Sequence, residues 1–172
     1  MLAIDEAFQI SSTESMLDWE EFFGHLQTVY SRSQVEDWRT QRHAVHLALM
    51  QGEFLELIIS GEKTIESRFT KNRVAPVGNI QAGDLVLFKQ VGREFFAVGL
   101  VEKAKDGLLD DAAWAFVRKH AEDIGIDEDY IEYKSDARYY VLAWVNDVHV
   151  IPPIHLEKKD RRAWVVLRDR LR

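Results

Sequence analysis

From Trp19 to Tyr30 the apolar residues Trp19, Phe22, Phe23, Leu26, Val29 and Tyr30 recur every three or four positions, one face of an amphipathic helix. Ser15 with Asp18 matches its N-terminal cap. A second, shorter helix is predicted from Ser33, with Glu36 as the reciprocal capping carboxylate and Val35 and Trp38 on a shared face. At His43 the period changes to two. Val45, Leu47 and Leu49 fall on one side and His46 and Ala48 on the other, the pattern of a half-buried strand. Helical spacing returns at Phe54, Leu55, Ile58 and Ile59, and Gly61 suits the left-handed residue that ends a helix. Thr64 to Thr70 alternates again, with Ile65, Ser67 and Phe69 on one face and Thr64, Glu66 and Arg68 on the other.

Pro76 and Gly78 mark the stretch from Lys71 to Gly78 as a loop. Strands at about Leu85 to Gln90 and Phe95 to Val101 flank Val91-Gly92-Arg93-Glu94, which reads as a hairpin. A third long helix is predicted with Ala113, Phe116, Val117, His120, Ala121 and Ile124 on one face and Asp110 or Asp111 as its cap. Asp127 to Asp136 is acidic and reads as an exposed connection, whereas Tyr139 to Val145 has strand composition. Val148, Val150 and Ala163 to Leu167 complete the sheet, and Pro152-Pro153 marks a strand end or an edge. The predicted class is α+β: a small, mostly antiparallel β-barrel decorated with helices. Residues 1–42 form an N-terminal helical extension packed on the barrel, and residues 43–172 form the barrel domain.

Composition narrows the function. A hydrophobic fraction of 47% with five tryptophans is enough for a real core. Twenty-two basic against 29 acidic residues give a net charge of -7, which speaks against nucleic-acid binding over the whole surface and requires any polyanion to find a local patch. The basic end is the C-terminal tail, where seven basic residues face three acids from Glu157 to Arg172. The absence of cysteine excludes disulfides, thiolate zinc sites and cysteine nucleophiles, and the cytoplasm is the expected location. Met1 to Ile10 carries Asp5 and Glu6 in place of a basic start, and no apolar stretch approaches the ~20 residues of a membrane span, so neither export nor a membrane partner is expected.

The candidate chemistry gathers on Lys63, Glu66 and Arg68. A lysine is a compact cation whose pKa falls on desolvation, and an arginine presents a planar fork suited to phosphate or carboxylate. Together with a carboxylate they can bind and polarise a base carbonyl or a phosphodiester; the alternative is a structural ion pair that fixes the turn. Lys71, Asn72 and Arg73 add donors in the following loop. The run Lys158-Lys159-Asp160-Arg161-Arg162-Ala163-Trp164 brings cations and an aromatic together, so Arg161 and Arg162 are further candidate contacts, with Trp164 read as core. The six histidines show no metal-binding spacing, and neither a nucleophile elbow nor a phosphate-binding glycine loop occurs. No cofactor is expected, and a divalent metal only if the protein is a nuclease.

Gly61-Glu62-Lys63-Thr64-Ile65-Glu66-Ser67-Arg68, after an apolar helix and opening a strand, resembles the G-x-K-x-x-E-x-R signature of the ASCH family, as does the later Ala82-Gly83-Asp84 before an apolar strand. The resemblance runs from about His46 to Leu167 and leaves out the N-terminal helices. It implies a PUA-like β-barrel that binds RNA or a modified nucleoside at its mouth. Lys63 and Glu66 would be the catalytic pair, and Thr64, Arg68, Lys71, Asn72, Arg73, Arg161 and Arg162 the ligand contacts. ASCH amidohydrolases use the motif lysine, a threonine three residues later and a downstream glutamate. Here Lys63 matches, Glu66 stands in the threonine's place, Thr64 lies one residue after the lysine, and Glu122 is the nearest downstream candidate. Amidohydrolase, ribonuclease and a non-catalytic regulatory module with a protein partner on the N-terminal helices remain alternatives at this point.

Overall fold

The computed structural model describes residues 16–94, 96–157 and 161–172; Met1 to Ser15, Phe95 and Lys158 to Asp160 lie outside the described residues. In chain order the elements are β1 (Met16–Leu17), α1 (Trp19–Leu26), α2 (Arg32–Arg39), β2 (Val45–Met50), α3 (Phe54–Ser60), β3 (Ile65–Thr70), β4 (Leu85–Gln90), β5 (Phe96–Leu108), α4 (Asp111–Lys119), α5 (Ala121–Ile124), α6 (Glu128–Tyr133), β6 (Tyr139–Ile151), β7 (Leu156–Glu157) and β8 (Trp164–Arg168). The main sheet has six strands in the order β3-β6-β5-β4-β2-β8, and only β2 and β4 run parallel. It is a curled half-barrel. Among the described residues β3 and β8 are its two ends, with no ladder between them, so the expected closure is incomplete.

Four expectations need correction. The second helix starts two residues earlier than Ser33 and Glu36 suggested, because Ser31 and Gln34 form the reciprocal capping box at 3.1 and 2.9 Å. The third long helix breaks at His120 into α4, capped by Asp110, and α5, which Gly125 ends with a φ of 78°. The acidic connection contains α6, which forms because Asp127 accepts from the Tyr130 N–H at 2.9 Å and so satisfies its first turn. Strand β2 is also more than half-buried: it lies between β4 and β8, and both of its faces are covered.

Helices α1 and α2 bury Phe22, Phe23, Leu26, Val35 and Trp38 against Val45, Leu47, Leu85, Leu87 and Val98 on one face of the sheet. Each such side chain contributes about 1.5–3 kcal/mol on burial, so the helical pair is fixed to the sheet by its own apolar stripe. Ala48, Phe88, Ala97, Val141 and Ala143 point the other way, into the curl that α3 closes with Leu55 and Ile58. A third cluster joins Ile65, Phe69 and Leu142 to Val117 and Ile124 of α4 and α5.

The Gly83-Asp84 pair is the structural hub. Asp84 is fully buried and accepts from the N–H groups of Ala44 (3.0 Å) and Gln81 (2.9 Å), from His46 Nε2 (2.9 Å) and from Arg170. Trp164 Nε1 donates to His46 Nδ1 at 3.1 Å. An indole N–H only donates, so the imidazole proton sits on Nε2 and points at Asp84. Gly83 has a φ of 92°, and a Cβ there would lie 2.5 Å from the His43 ring. Gly83→Ala is therefore expected to lose about 1–3 kcal/mol, read as a lower urea midpoint with unchanged slope.

Candidate functional site

The site begins where α3 ends. Gly61 takes a φ of 82°, the chain turns back so that the Lys63 N–H meets the Leu57 carbonyl at 2.9 Å, and β3 starts two residues later. Lys63 is 3% exposed. Its ammonium donates to the carbonyls of Ile65 (2.8 Å) and Ile124, lies 3.6 Å from Glu66 Oε2 and sits 5.1 Å from the centre of the Phe54 ring. The Ile124 carbonyl is free to accept because it closes α5, where the last carbonyls lack helical partners. Burial, with Arg68 adding to it, pushes the Lys63 pKa down, and Glu66 opposes the shift.

Alternation along β3 puts Glu66 opposite Ala143 and Arg68 opposite Val141, both in the curl of the sheet. Glu66 is 4% exposed; its Oε1 lies 3.1 Å from Arg68 Nη2. Arg68 reaches from β3 to the end of β2, donating to the Leu49 carbonyl at 3.0 Å, and its guanidinium lies 5.3 Å from the Trp164 ring centre. The buried hub thus fixes the indole against which Arg68 rests. Glu66 Oε2 and Arg68 Nε have no hydrogen-bond partner among the described residues.

These three side chains line a pocket of about 240 Å³ in the slot between β3 and the ends of β2 and β8, with Met50, Phe54, Phe69, Tyr130, Lys134 and Ala163 among its walls. The Tyr130 ring meets Phe54 edge-on at 6.2 Å and Phe69 at 6.4 Å. Burial raises the Tyr130 pKa, and the Glu66 charge raises it further, so the phenol stays neutral.

The other sequence candidates stand outside this pocket. Thr64 is exposed, and its backbone N–H goes to the Asp123 carbonyl at 2.9 Å. Lys71 pairs with Asp136 at 2.7 Å; Asn72 accepts from the Thr70 hydroxyl at 2.8 Å through its carbonyl; the Arg73 guanidinium lies against Gly78. Arg161 and Arg162 are exposed and precede Ala163, which does line the pocket. Glu122 lines a neighbouring depression that shares Phe54 and Tyr130 with the site. Sequence reasoning missed Tyr130 and Lys134. The Asp127 cap and the four-residue spacing of Tyr130 and Lys134 were the available signal. Among the described residues no group of three or more acidic or histidine side chains is placed to hold a metal ion, and no helix is long and apolar enough to cross a membrane.

No family model and no curated protein matches the sequence. Solved structures do. A tyrosine-to-phenylalanine variant of the ASCH protein from Zymomonas mobilis aligns with 66% of this chain and 76% of its own at 13% identity and a TM-score of 0.50. A serine-to-alanine variant of the same protein aligns with 69% of this chain and 90% of its own at 12% identity and a TM-score of 0.50. At that identity the likeness is one of fold: the chain has an ASCH-like, PUA-like α+β architecture.

Proposed function

We propose that the chain binds a nucleobase, carried on single-stranded RNA or on a modified nucleoside, in the pocket built on Lys63, Glu66 and Arg68. The observation that carries this reading is the convergence of Lys63, Glu66 and Arg68 on one aromatic-walled pocket, with Glu66 Oε2 held only by its 3.6 Å approach to Lys63 and Arg68 Nε without a hydrogen-bond partner among the described residues. Buried polar groups of this kind ordinarily have partners. A base edge that offers an N–H next to a carbonyl suits the Glu66 carboxylate and the Arg68 guanidinium that line the pocket. The rings of Phe54, Phe69 and Tyr130 suit a flat guest, and about 240 Å³ falls below the ~300–1,000 Å³ of drug-sized sites. Lys63 donates to two carbonyls, so its role is to hold Glu66 in place, while Glu66 and Arg68 meet the ligand.

Hydrolysis is the reading of turnover that the same atoms favour. Glu66 takes the proton of a water whose oxygen adds to the acyl carbon, Arg68 stabilises the oxyanion, and the proton passes from Glu66 to the amine as the acyl C–N bond breaks. The test is calorimetric titration with acylated nucleosides and short single-stranded RNAs, with chromatography for products. Lys63→Ala is expected to weaken binding at least about tenfold, since Glu66 loses the charge that positions it. RNA affinity should fall steeply with salt while nucleoside affinity hardly changes. Absence of binding by every nucleoside and RNA at millimolar concentration sinks the proposal.

A further inference from the structure

We infer that a second nucleotide stacks on Tyr133 beside the pocket, so that the preferred ligand is a base within an oligonucleotide and not a free nucleoside. The inference rests on the proposed reading of the pocket and extends it along α6. Tyr130 forms a wall of the pocket. One turn further on, Tyr133 is 73% exposed, an unusual place for a large ring. Tyr133 lines a shallow depression with Phe69, Lys71, Lys134, Asp136 and Ala137. Phe69 and Lys134 belong to both concavities, so the two are contiguous and Lys134 stands at their junction. Its ammonium lies 5.4 Å from the Tyr133 ring centre and 6.0 Å from that of Tyr130. The rings of Tyr130 and Tyr133 are 6.3 Å apart.

An oligonucleotide has matching parts in the same order. Its first base enters the pocket, the linking phosphodiester meets Lys134, and the next base lies on the exposed phenol ring. Lys71 pairs with Asp136 and borders only the depression, whereas Lys134 stands where the two concavities meet and so is placed to answer the linking phosphate. Stacking of this kind tolerates any base, because every base has a π-face. Selectivity then belongs to the pocket, and the increment for chain length belongs to Tyr133.

The experiment titrates the intact chain and its Tyr133→Ala variant with three probes. The first is whichever of uridine, cytidine, guanosine and acetylcytidine binds tightest. The second is that nucleoside extended by a phosphodiester-linked adenosine, and the third replaces the adenosine by an abasic ribose. The adenosine extension is expected to tighten binding about tenfold over the abasic one, the size of one base-on-aromatic stack. Tyr133→Ala should remove that gain and leave nucleoside affinity unchanged; Tyr133→Phe should keep it. Lys134→Ala should lower the affinity of the abasic probe. An adenosine that adds nothing, or a gain that survives Tyr133→Ala, overturns the stacking subsite while the pocket reading stands. Absence of binding by all three probes overturns both.

Discussion

Asp84→Ala is expected to lose about 3–5 kcal/mol of folding stability, the range for removing one partner from a buried charged network. The carboxylate accepts from two backbone N–H groups, from His46 and from Arg170, and it is fully buried. Truncation leaves those donors without partners in a site too enclosed for bulk water, and each stranded group adds its own desolvation cost. Equilibrium urea unfolding at neutral pH checks this through the midpoint. A loss below about 1 kcal/mol would show that the surroundings relax around the gap. The pH dependence follows from the same contacts. Burial alone raises the Asp84 pKa, but hydrogen bonds from His46, Arg170 and the Ala44 N–H outweigh it and hold the group below its ordinary value. A carboxylate depressed in the folded state stabilises the fold above its unfolded value of about 3.9. That contribution is lost as pH falls through the lower folded value. Acid unfolding of the intact chain should therefore have a component below about pH 4 that Asp84→Ala lacks.

Glu66→Gln is expected to weaken binding of a nucleoside or short RNA by about ten- to a hundredfold, the worth of one hydrogen bond to a charged group. The amide keeps the size and one acceptor oxygen, so Arg68 retains a partner. What disappears is the negative charge and the second acceptor, the one that lies 3.6 Å from the Lys63 ammonium. If Glu66 also takes a proton during hydrolysis, turnover should fall further than affinity. If the residue only braces the turn, Glu66→Gln should shift the melting temperature and leave affinity alone. Titration and a thermal melt on the same variant distinguish these results.

Much of the architecture was readable in the chain. Glycine at the end of an apolar helix and alternation from Thr64 to Thr70 placed α3, the turn and β3, and thereby the shared face of Glu66 and Arg68. The burial of Lys63 was not readable. It depends on the Ile124 carbonyl, brought in by the break at His120, and a continuous apolar face from Ala113 to Ile124 conceals that break. Helix α6 was hidden by its charge: Asp127, Glu128, Asp129 and Glu132 read as solvated, although the same stretch carries Tyr130 and Ile131 inward. Lys71, Arg73, Arg161 and Arg162 do not line the pocket, for the opposite reason. Local composition identifies a basic stretch, but its direction is set by pairings such as Lys71 with Asp136, made far along the chain.

The slot between β3 and β8 has a mechanical consequence. These are the first and last strands of the sheet order, and Arg68 spans the gap by reaching Leu49 and Trp164. A guest seated there acts as a rivet beside the Arg68 bridge. Thermal protection should then spread through the entire curl, by about 2.7 kcal/mol at a ligand concentration one hundred times the dissociation constant.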